Sequence, residues 1–288
     1  ALLLDRVFLP NLAHVEIVEG VLLSQSGKSV QAKKFVEIDG LSRAVKHGED
    51  FLKVLHDVHF YANQGEIVSI VGPSGCGKST FLNILAGLDQ PDSGTVLISG
   101  IESDDLLGNV GYMQQKDLLL PWRNVLSNVI LGLEIQGIPK KVARLRASEF
   151  MEDFGLSGFE NDYPHSLSGG MRQRAAFLRT MLTDKTVFLL DEPFSSLDAL
   201  NRASLQQWLL GLLSGFWNKT IVMVTHDVEE ALFLSDRVYV MSPRPGTIQK
   251  VVDCPFVKPR NRDIVNTPDF IEIKSDILSH LLGEGSHA

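Results

Sequence analysis

Short apolar runs alternate along the chain with longer stretches in which apolar residues return every three or four positions. The runs fall at residues 35–38, 67–71, 95–98, 186–190, 221–225 and 238–241. That alternation predicts an α/β fold with a largely parallel sheet covered by helices. Ile67-Val68-Ser69-Ile70-Val71 and Val187-Phe188-Leu189-Leu190 are apolar without strict alternation, the pattern of strands buried on both faces. Between residues 126 and 159 the strand signal stops and helical composition takes over, which predicts a helical subdomain inserted in the core. After Met241 the turn-rich Ser242-Pro243-Arg244-Pro245-Gly246 leads into a tail. The tail ends in a helical pattern with Phe270, Ile273, Ile277 and Leu281 on one side. Such a stripe either packs on its own domain or takes a partner, and the first is the commoner use. Residues 1–34 show mixed polarity and no clear period, and read either as an ordered extension or as a frayed tail. The expected division is an N-terminal extension of unassigned role over 1–34, a main domain over 35–250 with its helical subdomain at about 115–180, and a C-terminal extension over 251–288 ending in a helix.

Composition narrows the class without choosing a function. A chain of 288 residues favours one large α/β domain with an appendage. Hydrophobic residues at 44% and charged residues at 22% argue against extensive disorder. A net charge of −8 gives no general attraction to nucleic acid. Cys76 and Cys254 are far apart and lack metal-ligand spacing, so neither a disulfide framework nor a zinc site is expected. Charged residues and Pro10 interrupt the apolar opening stretch, which also lacks the parts of a secretory signal. Any membrane association is therefore expected to come through a partner.

The chemistry begins at Gly72-Pro73-Ser74-Gly75-Cys76-Gly77-Lys78-Ser79-Thr80, which follows a buried strand and opens a helix. That context gives the P-loop pattern its meaning. Glycines let the backbone wrap phosphate oxygens closely, several N–H groups point inward, and the helix start adds partial positive charge. Lys78 then reaches the β- and γ-phosphates, Ser79 offers a hydroxyl to Mg²⁺, and Thr80 is a supporting polar neighbour. The alternative is a Gly-rich turn that binds nothing. Cys76 reads as a small loop residue, because nearby phosphates oppose a thiolate.

A second run ends in Asp191-Glu192, placing two carboxylates at the C-terminal edge of a buried strand, where open parallel sheets bind ligands. Asp191 is expected to hold Mg²⁺ through a coordinated water, and Glu192 to polarise the water that attacks the γ-phosphate. An acidic pair alone is often a solvated turn; it gains weight here from the P-loop. His226, at the end of another central run, is expected to contact the γ-phosphate and orient the water, where a lone histidine would more often be structural.

Leu167-Ser168-Gly169-Gly170-Met171-Arg172-Gln173-Arg174 is a second Gly-rich helix start. One nucleotide cannot easily occupy two such starts of one chain, whereas a head-to-tail dimer can close one chain's second start over the other chain's P-loop. With this segment in place, the chain resembles the ABC ATPase family over about residues 35–282. The resemblance implies a P-loop NTPase core with a mainly parallel central sheet, an N-terminal antiparallel β portion and an inserted helical subdomain. It implies ATP and Mg²⁺ as cofactors, hydrolysis in a closed dimer of the chain with itself or a homologous ATPase subunit, and coupling to transmembrane permease subunits. Ser168, Gly169 and Gly170 are similar to the signature that binds the γ-phosphate in trans, with Met171 where the family commonly has Gln. Gln114 is similar to the Q-loop glutamine that contacts Mg²⁺ or water. Asp198, in Ser195-Ser196-Leu197-Asp198, resembles the D-loop residue that links the two sites. The family's adenine-stacking aromatic has Val45 in its place; Phe51 is the alternative aromatic surface.

Leu118-Leu119-Leu120-Pro121-Trp122-Arg123, the segment 241–246 and Pro268-Asp269-Phe270 resemble the nitrate, sulfonate and taurine importer ATPases. That branch implies separate permeases, an extracytoplasmic solute-binding protein and a peripheral place on the cytoplasmic face of the membrane; the large C-terminal regulatory domain of sugar-importer ATPases is not expected in the 288 residues. Trp122 is expected either to anchor a permease helix or to cap the domain's own core. The rival functions are a mechanical clamp in DNA repair or translation, without the long coiled coil or basic surface such a clamp carries, and a nucleotide sensor of negligible turnover, against which Glu192 and His226 argue.

Overall fold

The computed structural model describes residues 34–102, 106–195, 197–216, 219–258 and 260–283, with side chains omitted at 213–216. The extension expected over residues 1–34, apart from Lys34, lies outside the described residues, as do Ser196 and the end of the C-terminal extension at 284–288.

The described chain first lays down a hairpin, β1 (Lys34–His47) and β2 (Asp50–Asn63), then β3 (Ile67–Val71), α1 (Lys78–Leu85), β4 (Ser93–Ile98), β5 (Ile101–Glu102) and β6 (Gly111–Met113). Helices α2 (Val125–Val129), α3 (Leu131–Ile135), α4 (Lys140–Met151) and α5 (Gly169–Met181) follow without an intervening strand. Alternation then resumes through β7 (Val187–Asp191), α6 (Ala199–Phe216), β8 (Thr220–Thr225), α7 (Val228–Leu234) and β9 (Arg237–Met241), before β10 (Ile248–Asp253) and α8 (Pro268–Leu282). One sheet is antiparallel, in the order β2-β1-β4-β5; the other has the order β10-β9-β3-β8-β7-β6 and is parallel except for β10. The fold is the P-loop α/β core with antiparallel portion and helical insert expected from the sequence.

Every residue of β3, β7 and β8 is buried, because this sheet is covered on both sides. Successive side chains of a strand point to opposite faces. Val68, Ile70, Leu189, Val222 and Val224 accordingly join a cluster with α1 and the β1–β2 hairpin. Ile67, Phe188, Leu190, Ile221 and Met223 join the other cluster, with the helical insert and α6. Phe60 of β2 meets Phe81 of α1 edge-on, with ring centroids 5.4 Å apart, a geometry that adds about 1 kcal/mol beyond area burial.

The expected runs fall within β1, β3, β4, β7, β8 and β9, Thr186 apart, whereas β2, β5, β6 and β10 emerge only in the folded chain. β10 alternates between half-buried and exposed positions at a sheet edge. β6 has three residues, too few for a period, and a Cβ on its Gly111 would lie 2.5 Å from Phe188 Cδ1 on the paired strand. The C-terminal stripe packs on its own domain: Phe270 and Ile277 are buried against α7 and β9, with Ile273 and Leu281 at the margin. Among the described residues no helix is long and apolar enough to cross a membrane.

Candidate functional site

Strand register brings the three chemical segments together. Val71 of β3 pairs with Thr225 of β8, and Asp191 of β7 pairs with Val224 of β8. The residues that follow, Gly72, His226 and Glu192, therefore leave the same edge of three adjacent parallel strands, where neighbours are about 4.8 Å apart.

The loop between β3 and α1 is held open by contacts that only glycine permits at two places. A Cβ on Gly72 would lie 2.9 Å from Cys76 Sγ and 3.1 Å from the Met241 carbonyl oxygen. Gly77 stands at the α1 N-terminus with φ 115°, and a Cβ there would lie 2.8 Å from Leu55 Cδ2. Lys78 is buried, and its ammonium donates to the carbonyls of Gly72 at 2.7 Å and Pro73 at 3.1 Å. These are weak acceptors compared with phosphate oxygens, so the lysine is held pointing across the loop mouth. Ser74, Gly75 and Ser79 are exposed, and Thr80 is half-buried. Burial pushes the Cys76 thiol up, which keeps it protonated and inert.

Asp191 is buried, and burial raises its carboxyl above the usual range; the neighbouring Glu192 charge adds to this, while hydrogen bonds from Ser79 and Tyr112 and the charge of Lys78 oppose it. Burial likewise pushes the Tyr112 phenol up, so it remains a donor, here to Asn83 Oδ1 at 3.1 Å. Glu192 has φ 44°, unusual for a residue with a side chain, and its N–H donates to the Val224 carbonyl at 2.9 Å. Its Oε2 accepts from Gln115 Nε2 at 3.0 Å and lies 3.2 Å from His226 Nδ1. The strained backbone thus aims one carboxylate between two side chains from neighbouring strand ends.

Gln114 and Gln115 are both exposed, and the glutamine that reaches Glu192 is Gln115, one residue further on. Two adjacent glutamines follow the short β6, and spacing alone does not tell which one faces Glu192.

Ser168 and Asp198 accept hydrogen bonds at their own helix starts. Ser168 Oγ accepts from the Met171 N–H at 3.2 Å, and Asp198 accepts from the Asn201 backbone and side chain at 3.1 and 2.5 Å. Ser168 is exposed, Gly169 is half-buried, and a Cβ on Gly170 would meet nothing within 4 Å, so this helix start faces open space.

The segment after Gln115 is tied to α5 by two arginines. Arg172 donates to Asp117 Oδ2 at 3.2 Å, and Arg179 donates to the carbonyls of Asp117 at 2.6 Å and Leu118 at 2.7 Å. Buried Asn128 donates to the carbonyls of Leu120, Arg123 and Asn124 and accepts from the Leu120 N–H. A fully used buried amide fixes the turn, and on that turn Trp122 is 72% exposed. This is opposite to the alternative in which Trp122 caps the core.

A family model for ABC transporters matches residues 55–195. The chain is 48% identical over 195 residues to a formylaminopyrimidine import ATP-binding protein of Halalkalibacterium halodurans, covering 67% of this chain and 74% of the relative. It is 38% identical over 246 residues to an aliphatic sulfonates import ATP-binding protein of Bacillus cereus, covering 84% of this chain and 94% of the relative. A solved dimeric post-hydrolysis state of an ATP-binding cassette with ADP and Pi superposes with a TM-score of 0.68 at 31% identity, over 77% of this chain and 100% of the other.

Proposed function

The chain belongs to the ABC transporter family as an ATP-binding and ATP-hydrolysing subunit, and on that premise we propose that it drives uptake of a small solute through separate permease subunits. The solute is of the nitrate, sulfonate or taurine kind, delivered by an extracytoplasmic binding protein, and the chain works from the cytoplasmic face of the membrane. The observation that carries the catalytic reading is the Glu192 carboxylate held between Gln115 and His226 beside the P-loop.

ATP phosphates lie in the loop from Gly72 to Thr80, and Lys78 exchanges the carbonyls of Gly72 and Pro73 for β- and γ-phosphate oxygens. The Ser79 hydroxyl and the Asp191 carboxyl, which lie together beside the P-loop, are hard oxygen donors that fit Mg²⁺. Bound with ATP, Mg²⁺ neutralises charge on the phosphates. Glu192 accepts the proton of the attacking water, His226 orients Glu192 and the γ-phosphate, and Gln115 takes the sensor role expected of Gln114. In a head-to-tail pair of this chain with itself or a homologous subunit, Ser168, Gly169 and Gly170 of one chain close on the other's P-loop, and Asp198 links the two sites. The open surroundings of that helix start support this reading.

ATP closure would move the helical subdomain, whose exposed Leu118 and Trp122 form the surface that a permease helix grips. Trp122→Ala is therefore expected to leave basal ATPase activity within about twofold and stability within about 0.5 kcal/mol. Permease-stimulated hydrolysis and solute uptake fall by about tenfold or more, the cost of losing an aromatic anchor. ATPase assays with and without the permease, on both proteins, measure this; an equal loss of basal activity and melting temperature with permease binding unchanged would sink the coupling role.

For the base, Val45 of β1 packs partly against the core, whereas Phe51 of β2 is 74% exposed and pairs with Lys46. Phe51 is the free aromatic surface of the two. Phe51→Ala is expected to weaken ATP by about fivefold, the worth of one ring contact, and to reduce preference over GTP. Competition binding of ATP against GTP reads it; an unchanged preference removes Phe51 from the base site.

A further inference from the structure

The turn after β9, part of the segment 241–246 that resembles the importer branch, packs onto the back of the P-loop. Ser242 Oγ donates to the Pro243 and Pro245 carbonyls and accepts from the Thr247 N–H. The turn is stitched to β2 by the Gly246 N–H donating to the Val54 carbonyl at 2.8 Å and the His56 N–H donating to the Gly246 carbonyl at 3.0 Å. A Cβ on Gly246 would overlap the Cys76 carbonyl oxygen, so the turn and the phosphate loop touch backbone to backbone. From this platform the Arg244 guanidinium donates twice to one acceptor, the Gly75 carbonyl, through Nε at 3.0 Å and Nη2 at 2.7 Å.

We infer that Arg244 is a positioning residue for nucleotide binding: its two hydrogen bonds hold the Gly75–Cys76 peptide in the orientation that turns the Cys76 N–H into the phosphate cradle. The inference rests on the reading that the P-loop holds ATP. In a trans peptide the C=O and the N–H point in opposite directions. Pulling the Gly75 oxygen outward therefore turns the Cys76 N–H to the opposite side, where it donates to the Pro73 carbonyl at 3.3 Å, a contact it would exchange for a phosphate oxygen. Gly75 has φ 77° and no side chain, so this peptide can rotate at little steric cost. Two charge-assisted donors on one oxygen remove that freedom before the ligand arrives and polarise the N–H toward an anion. A cradle ordered in advance loses less entropy on binding.

The test is titration calorimetry of Mg-ATP and Mg-ADP with the parent protein, Arg244→Ala and Arg244→Gln, alongside melting temperatures and steady-state kinetics. Both nucleotides carry the β-phosphate that the loop cradles. Arg244→Ala should raise both dissociation constants by about tenfold, equivalent to ~1.4 kcal/mol, with KM rising in step and kcat at saturating ATP within about twofold. Arg244→Gln, which retains one donor, should fall between. Because Arg244 is exposed, melting should change little. If Arg244→Ala does not fold, the Gln protein decides: raised dissociation constants at a retained melting temperature uphold the role, and parental affinity overturns it. Parental affinity in Arg244→Ala, or a loss for ATP without one for ADP, also overturns it. A parent protein that binds neither nucleotide would instead refute the ATP reading of the loop.

Discussion

Replacing Glu192 by Gln is expected to lower ATP hydrolysis by about 10²–10⁴-fold, the usual worth of a positioned general base, with ATP binding close to the parent's. Gln keeps the shape of Glu and loses its ability to take a proton. The position tolerates no casual substitution, since Glu192 sits at φ 44° and its Oε2 is shared between Gln115 and His226. The amide can still fill that place, so nucleotide is bound and the reaction stops before the water is activated. The trapped state should be a dimer with ATP between the chains, read by single-turnover hydrolysis together with the mass of the ATP-bound species. Turnover at the parent rate would show that another group is the base.

Lys78→Ala should act one step earlier and raise the ATP dissociation constant by about 10²-fold or more. A buried ammonium hydrogen-bonded to an anion is worth about 3 kcal/mol, and each 1.4 kcal/mol is about tenfold. Lys78 is 6% exposed and its donors reach the Gly72 and Pro73 carbonyls, so truncation removes both the cation and the partner of those oxygens. Calorimetry with Mg-ATP measures the loss, and circular dichroism verifies that the chain is folded. Affinity within threefold of the parent would put the phosphates elsewhere. Hydrolysis falls in both variants, but only Glu192→Gln should retain the nucleotide, which separates base from anchor.

The strands that carry this site were legible because each is a local event. Ile67 to Val71 and Val187 to Leu190 are continuous apolar runs, and a run buried on both faces needs no partner to be recognised. The P-loop and the start of α5 are equally local: glycine supplies the positive φ of Gly75 and Gly77, and Ser168 accepts from the N–H three residues on. From the order of these segments the α/β core, the ATP site and the pair Asp191-Glu192 followed. The helical insert was visible as a loss of strand pattern, and the α8 stripe as a period.

What the sequence by itself determined is therefore the set of elements and the chemical groups at their ends. The tertiary structure alone decided which groups meet. Gln115 rather than Gln114 reaches Glu192, across 77 positions of chain, because the backbone leaving the three-residue β6 sets which side chain faces it. Trp122 stands outward because the turn beneath it is pinned by Asn128. Arg244 finds the Gly75 carbonyl from 169 positions away, because β9 lies beside β3 and delivers its following turn to the same sheet edge. Periodicity and capping record interactions within a few residues, where the chain's own geometry sets the distance. Contacts between distant segments depend on strand order and register, which are settled by packing of the whole core.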